Sequence, residues 1–238
     1  MTTAAIIIIG NEILSGKFID ENTPWLINAC ASRGIRVQSV RIIPDDIDTI
    51  ARVVRADSAV FDLVFTTGGV GPTHDDCTIE AVARAFNVGL YQNAELVERL
   101  RSWFGDSIEP AALRMADIPE NGELIPTRPQ LAPQLKVENV YVFPGVPRLL
   151  QKKFAAIMHM FSGPEQHSTS VGLNARESKI AQQLGQIQQQ HPEVSIGSYP
   201  RFGETPSLIL TVDGLDEGRV MEVAAELSTE FEMWLHLD

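Results

Sequence analysis

Two adjacent carboxylates follow a run of glycines near the middle of the chain. Asp75 and Asp76 come shortly after the glycine turn at residues 68–71, and Thr73 and Thr78 add hydroxyl groups beside them. Glycines let a ligand approach the backbone closely, and the first N–H groups of a helix have no partner inside that helix. Residue types in this order therefore suit a site for a phosphate group.

The two carboxylates oppose the binding of a bare phosphate. A helix N-terminus stabilises an exposed anion by about 0.3–1 kcal/mol, and by ~2 kcal/mol in good geometry. A carboxylate about 4 Å from a phosphate costs on the order of 4 kcal/mol at an effective dielectric constant of 20. Either Asp75 and Asp76 only cap the following helix, or they hold a divalent cation that also contacts the phosphate.

Strands and helices are predicted to alternate around this turn. Apolar runs at 4–9 and 61–66 are typical of strands that are buried on both faces, and 35–43 has the alternation of a further strand. An apolar stripe over 79–86 predicts the helix after the glycine turn. This order of strand, helix, strand, helix, strand and helix predicts an α/β fold with a parallel sheet.

Acidic residues after two other predicted strands extend the candidate site. Glu12 follows the strand at 4–9, and Asp45 follows the strand at 35–43. In open α/β sheets, ligands bind beyond the carboxyl ends of the strands. Both residues are therefore candidate ligands of the same cation. The alternatives are an exposed loop acid for Glu12 and a helix N-cap for Asp45.

A change of composition at Ser162-Gly163-Pro164 divides the chain into two predicted domains, 1–163 and 164–238. Beyond this point the predicted order is strand, helix, strand, strand and helix. That order predicts a small α+β domain with one antiparallel sheet and its helices on one face.

Composition excludes several classes of partner. The chain has 31 acidic and 19 basic side chains and a formal charge of −12, which argues against nucleic acids and anionic membranes. The run Ile6–Ile9 is far too short to span a bilayer, and residues 1–10 have no basic start or cleavage motif. Cys30 and Cys77 lie far apart without zinc-type spacing, which suits a reducing compartment. We therefore expect a cytoplasmic protein.

The glycine turn and its surroundings resemble a known family. Residues 66–78, TTGGVGPTHDDCT, are very similar to the TTGGxGPTxDDxT signature of the molybdopterin-binding MoaB/Mog-like superfamily. Within it the chain most resembles the N-terminal domain of CinA-like (competence- and damage-inducible) proteins. Residues 10–16, 41–46 and 143–147 also resemble that group. Residues 196–200 resemble the small domain that is found in its short members and in the N-terminal half of eukaryotic-type FAD synthases. The resemblance covers essentially the whole chain.

This resemblance implies a three-layer α/β/α domain with a mostly parallel mixed sheet and an acidic phosphate site. In CinA-like and FAD-synthase-like members, the associated activity is a pyrophosphatase that uses Mg, Mn or Co and acts on nucleotide diphosphates such as ADP-ribose or FAD. In the Mog-like branch it is molybdopterin binding or adenylylation. A third alternative is a non-catalytic module that binds a phosphorylated ligand. We expect a nucleotide diphosphate or pterin phosphate as the small-molecule partner. The sequence argues neither for nor against a homo-oligomer.

In the preferred hypothesis, the metal-dependent pyrophosphatase, Asp75 and Asp76 are catalytic and hold the cation with Glu12 and Asp45. The predicted ligand-binding residues are Gly10, Glu12, Thr67, Gly68, Gly69, Gly71, Pro72, Thr73, Thr78, Gly145 and Pro147. The chain departs from the family pattern at Gln134, which stands where a glycine is common.

Overall fold

The computed structural model describes residues 2–105, 108–128 and 130–236. It divides into two compact units, Met1–Gly163 and Pro164–Asp238. The first unit has two hydrophobic clusters and the second unit has one of its own. Each unit therefore has the core that a separate domain needs.

A six-stranded sheet forms the centre of the first unit. Its order is β2-β1-β3-β8-β7-β6, and its strands are β1 (Thr2–Ile9), β2 (Ile35–Ile43), β3 (Leu63–Thr67), β6 (Gly122–Ile125), β7 (Gln134–Val137) and β8 (Val140–Phe143). Strands β2, β1, β3 and β8 are parallel, whereas β7 is antiparallel to both of its neighbours. The mixed and mostly parallel sheet is thus confirmed.

Seven α-helices and a small two-stranded sheet accompany this sheet in the described part of the first unit. The helices are α1 (Asn11–Leu14), α2 (Asn22–Ala31), α3 (Ile47–Ser58), α4 (Thr78–Ala85), α5 (Ala94–Phe104), α6 (Pro110–Leu113) and α7 (Pro147–Ile157). Strands β4 (Leu90–Gln92) and β5 (Asp117–Pro119) pair antiparallel. None of the helices in the described ranges is long and apolar enough to cross a lipid bilayer.

Alternation along β1 produces the three layers. The odd-numbered residues from Ala5 to Ile9 enter a cluster with residues of α3, α4 and α5, and the even-numbered residues from Ala4 to Ile8 enter a cluster with residues of α2 and α7. Because helices cover both faces of the sheet, no residue from Ala4 to Ile9 is more than 3% exposed. The predicted α/β/α arrangement follows from this burial.

The second unit has the predicted α+β order. Its elements are β9 (His167–Leu173), α8 (Glu177–Gln190), β10 (Val194–Pro200), β11 (Leu208–Gly214) and α9 (Glu217–Glu230). The three strands form an antiparallel sheet in the order β10-β11-β9. Buried residues of both helices share one cluster with the sheet.

The apolar positions over 137–143 are typical of a single strand interrupted at Asn139, but the structure has a hairpin there. Strands β7 and β8 are antiparallel and meet at Glu138 and Asn139. Glu138 has a φ of 53°, which turns the chain back on itself. The Asn139 side chain donates to the carbonyls of Ser58 (3.0 Å) and Phe61 (2.8 Å), and these bonds hold the hairpin against the end of α3.

Candidate functional site

A cleft of about 560 Å³ lies beyond the carboxyl ends of the parallel strands. Ile8 and Ile9 from β1, Thr67 from β3 and Pro144 after β8 contribute to its wall. The chain places β2 on one side of β1 and β3 on the other, so the order of the strands reverses there. Open α/β sheets bind ligands at such a reversal. The cleft is therefore where the fold itself favours a ligand.

The cleft brings together eight of the predicted site residues: Glu12, Thr67, Gly68, Gly69, Gly71, Asp76, Gly145 and Pro147. Large apolar side chains also line it, among them Phe18, Ile19 and Val146, which are 66%, 88% and 62% exposed. The cleft thus has a glycine-rich acidic part and an apolar part.

Close packing of the glycine turn against β1 shapes the floor of the cleft. Gly68 and Gly69 have φ values of 104° and 62°, which side-chain-bearing residues rarely adopt. A Cβ atom on Gly68 would lie 2.0 Å from the carbonyl oxygen of Ile9. Among the hydrogen bonds of the described residues, none uses the amide N–H of Gly69, Val70 or Gly71. Three consecutive residues of the cleft wall therefore carry unused donors.

Asp75 and Asp76 do not cap α4, so the capping interpretation is wrong. The N–H of Thr78, the first residue of α4, donates instead to the carbonyl of Gly69 at 3.0 Å. Asp76 Oδ2 accepts from the Thr73 N–H at 2.8 Å and from the Thr73 hydroxyl. The same hydroxyl lies 2.7 Å from Asp75 Oδ1, and its hydrogen bond lowers the pKa of that carboxyl. The two carboxylates thus share the single hydroxyl proton of Thr73 as a hydrogen-bond donor.

Some of the predicted site residues do not line the cleft. Thr78 is fully buried, and its hydroxyl donates to the Gly68 carbonyl at 2.8 Å, so a ligand cannot reach this side chain. Asp45 Oδ2 accepts from the Asn11 N–H at 2.8 Å. Six predicted residues do not line the cleft: Gly10, Asp45, Pro72, Thr73, Asp75 and Thr78. Thr78 and Asp45 therefore support the turns around the cleft.

Reasoning from the sequence missed Asn22, which joins two walls of the cleft. It is 7% exposed, and its Nδ2 donates to the Gly145 carbonyl at 2.7 Å and to Thr67 Oγ1 at 3.2 Å. Asp20 Oδ1 accepts from the N–H groups of Asn22 and Thr23 at the start of α2. A polar residue at a helix start is an ordinary surface feature, so the sequence carried little signal for this role.

The donor set of the cleft suits a cation that arrives with its ligand. Within the described residues, no three His, Cys, Asp or Glu side chains are grouped so that they could hold a metal ion by themselves. Glu12 and Asp76 nevertheless line the same cleft, and no lysine or arginine is among the described residues of its wall. Mg²⁺ is commonly bound by one or two carboxylates together with phosphate oxygens. Glu12 and Asp76 fit that pattern.

The thiol beside the two aspartates is not activated. Burial, and then the negative charges of Asp45, Asp46, Glu80 and Asp76, raise the pKa of Cys77 to about 11. The thiol is therefore protonated at neutral pH, whereas a nucleophilic cysteine needs a thiolate.

Relatives resemble the chain over different fractions of their length. A protein of Archaeoglobus fulgidus is 37% identical over 93% of this chain and 94% of its own. A probable FAD synthase of Caenorhabditis elegans is 29% identical over 84% of this chain, which spans 44% of that relative. A crystal structure of the protein CinA of Thermoplasma acidophilum covers 67% of this chain and 97% of its own, with a TM-score of 0.62 and 30% identity.

Two family descriptions divide the chain between them. Residues 165–237 match the FAD synthase middle domain. Residues 5–162, which contain the glycine turn and the whole cleft, match the probable molybdopterin binding domain. The chain therefore belongs to the family of probable molybdopterin binding domains.

Proposed function

We propose that the chain binds a phosphorylated pterin or nucleotide in the cleft, with a phosphate group at the glycine turn. The observation that carries this proposal is the row of unused amide N–H groups at Gly69, Val70 and Gly71 in the cleft wall. Successive amides next to a residue with left-handed backbone form a concavity that binds anions. The family supports a pterin phosphate, and the FAD-synthase relatives support a nucleotide.

The apolar part of the cleft suits the ring system of such a ligand. Single exposed apolar side chains are ordinary, but Phe18, Ile19 and Val146 are largely exposed around one cleft. A flat ring laid against them would remove apolar surface from water on both partners. Small-molecule sites commonly combine such apolar walls with a few polar groups.

A second candidate function is metal-dependent hydrolysis of a nucleotide diphosphate, the preferred hypothesis from the sequence. It is favoured by the presence of Glu12 and Asp76 in a cleft whose described wall offers no basic side chain to balance a phosphate. These two residues would hold Mg, Mn or Co, and Asp75 would position Asp76 through the shared hydroxyl of Thr73. When bound, such a cation neutralises phosphate charge and activates water.

Replacing Asp76 with asparagine tests the role of the cation. We expect the wild-type chain to bind ADP-ribose at least about tenfold more tightly with Mn²⁺ than with EDTA, a gain of ~1.4 kcal/mol. Asp76→Asn should remove most of that gain and leave metal-free binding equal or tighter, because one carboxylate no longer repels the phosphate. Isothermal titration calorimetry measures both affinities.

The exposed Glu98 on α5 supplies a control with the same change of charge, and Glu98→Gln should behave as the wild type. Equal affinity with and without Mn²⁺ in the wild type would contradict the bridging cation. A lack of saturable binding for ADP-ribose, FAD and a pterin diphosphate alike would refute the binding function. Release of AMP from ADP-ribose or FAD distinguishes the hydrolase, and no AMP with Mg²⁺, Mn²⁺ or Co²⁺ refutes that candidate alone.

A further inference from the structure

A second cavity of about 510 Å³ lies within the first unit, beside the cleft. Apolar side chains from α5, β5, β6 and β7 make up much of its wall, among them Leu96, Leu100, Trp103, Ile118, Leu124 and Leu135. Val70, Met115, Pro144 and Leu149 line both this cavity and the cleft. The cavity has the size and the apolar character of a small-molecule site.

A buried lysine from α7 forms part of this largely apolar wall. Lys153 is 8% exposed, and its Nζ donates to the carbonyl of Pro133 at 2.9 Å. None of the ion pairs among the described residues includes Lys153. A buried ammonium without a counter-charge is unfavourable, and desolvation accordingly lowers its pKa to about 8. At neutral pH the cavity still carries this positive charge.

Two other charged side chains contribute to the wall. Arg99 comes from α5, and its guanidinium donates to the carbonyl of Leu131 (3.1 Å) and pairs with Glu95 at 3.5 Å. Asp117 comes from β5. With Lys153, the described wall thus carries two cations and one anion, and the cation that has no ion pair is the buried one.

We propose that this cavity binds an amphipathic anion, a molecule with an apolar aromatic or aliphatic body and a single carboxylate or sulfonate group. The body would fill the apolar part of the cavity, and the anionic group would supply the counter-charge that Lys153 lacks. This site does not rest on the proposed function of the cleft, because none of the acids and glycines of the cleft lines the cavity.

Two fluorescent probes with the same apolar body test the proposal. 8-Anilinonaphthalene-1-sulfonate carries one sulfonate, and N-phenyl-1-naphthylamine is the same body without it. We expect Lys153→Met to weaken sulfonate-probe binding about tenfold and to leave binding of the neutral probe equal or tighter. Lys152→Met, at the exposed neighbouring position on α7, removes the same charge and should change neither affinity.

A third variant locates the probes. Ala132 lines the cavity, and Ala132→Phe should weaken binding of both probes because the ring occupies part of the space. An unchanged sulfonate-probe affinity in Lys153→Met, or unchanged affinities of both probes in Ala132→Phe, would overturn the proposal. The wild type supplies an independent measurement, since its affinity for the sulfonate probe should fall from pH 7 to pH 10 as Lys153 loses its proton. Its affinity for the neutral probe should not follow.

Discussion

Replacing Gly68 with alanine is expected to lower the free energy of unfolding by about 3 kcal/mol or more and to weaken ligand binding in the cleft severely. The added Cβ atom would lie 2.0 Å from the carbonyl oxygen of Ile9, which is backbone and cannot rotate away. Ile9 is held in turn by its pairing with Ile43 on β2. A left-handed backbone costs a residue with a side chain roughly 1–2 kcal/mol, and overpacking costs about 1–3 kcal/mol more.

The control for this prediction is Gly16→Ala. Gly16 also has a positive φ, 71°, but a Cβ atom there would meet nothing within 4 Å. Its expected loss is only the conformational cost of roughly 1–2 kcal/mol. Urea unfolding of both variants, with ADP-ribose titrations beside it, separates backbone strain from the collision with β1. A loss at Gly68 no larger than the loss at Gly16 would contradict the close approach of the turn to the strand.

The fold was largely predictable because its central strands carry unambiguous patterns. The run of residues 4–9 is apolar at every position, as is typical of a strand covered on both faces. The hairpin of β7 and β8 was not predictable in the same way. Its turn depends on a positive φ at Glu138, a residue type that does not signal this conformation. The pairing of β4 with β5 joins short segments far apart in the sequence, and neither segment has a pattern of its own.

The candidate site was predictable as a region but not residue by residue. Side-chain direction follows a fixed period in helices and strands, whereas consecutive residues of an irregular turn point in unrelated directions. Asp76 therefore lines the cleft while its neighbour Asp75 does not. Nothing in the sequence distinguishes the two residues. Thr78 is different, since it begins α4, and its full burial follows from the packing of that helix on the sheet.

The burial of Lys153 is predictable from its position in α7, although its residue type argues against burial. Leu150, Phe154 and Ile157 form the apolar stripe of α7 and are nearly or fully buried. Lys153 lies three residues after Leu150 and four before Ile157, so helical geometry places it on the same buried face. A charged residue is assumed to be exposed because burying it is costly. In α7, the position of Lys153 on the apolar face of the helix leads to its burial.

Replacing Lys153 with methionine is expected to stabilise the chain at neutral pH by about 2 kcal/mol. Burial lowers the pKa of this lysine from 10.5 to about 8. A pKa difference of one between the folded and unfolded states corresponds to about 1.36 kcal/mol, so the charged lysine destabilises the fold by ~3 kcal/mol below pH 8. Methionine has similar length and no charge. The variant gives up about 1 kcal/mol of this gain, because the Pro133 carbonyl loses its donor.

The dependence on pH distinguishes this cause from a general improvement in packing. Between about pH 8 and pH 10.5 the unfolded lysine holds more protons than the folded one, so the wild type gains stability as the pH rises. The excess of the Lys153→Met free energy of unfolding over that of the wild type should therefore shrink across this window. Above it the difference should become about −1 kcal/mol, because only the lost hydrogen bond remains.

Urea unfolding at pH 7 and at about pH 10.5 measures the change. Tryptophan fluorescence is a suitable probe, because Trp25 packs edge-on against Phe154, the residue that follows Lys153, with 5.5 Å between the two ring centroids. Lys152→Met controls for the loss of one positive charge, and a pH-independent advantage of Lys153→Met over it would show that the buried charge is not the cause.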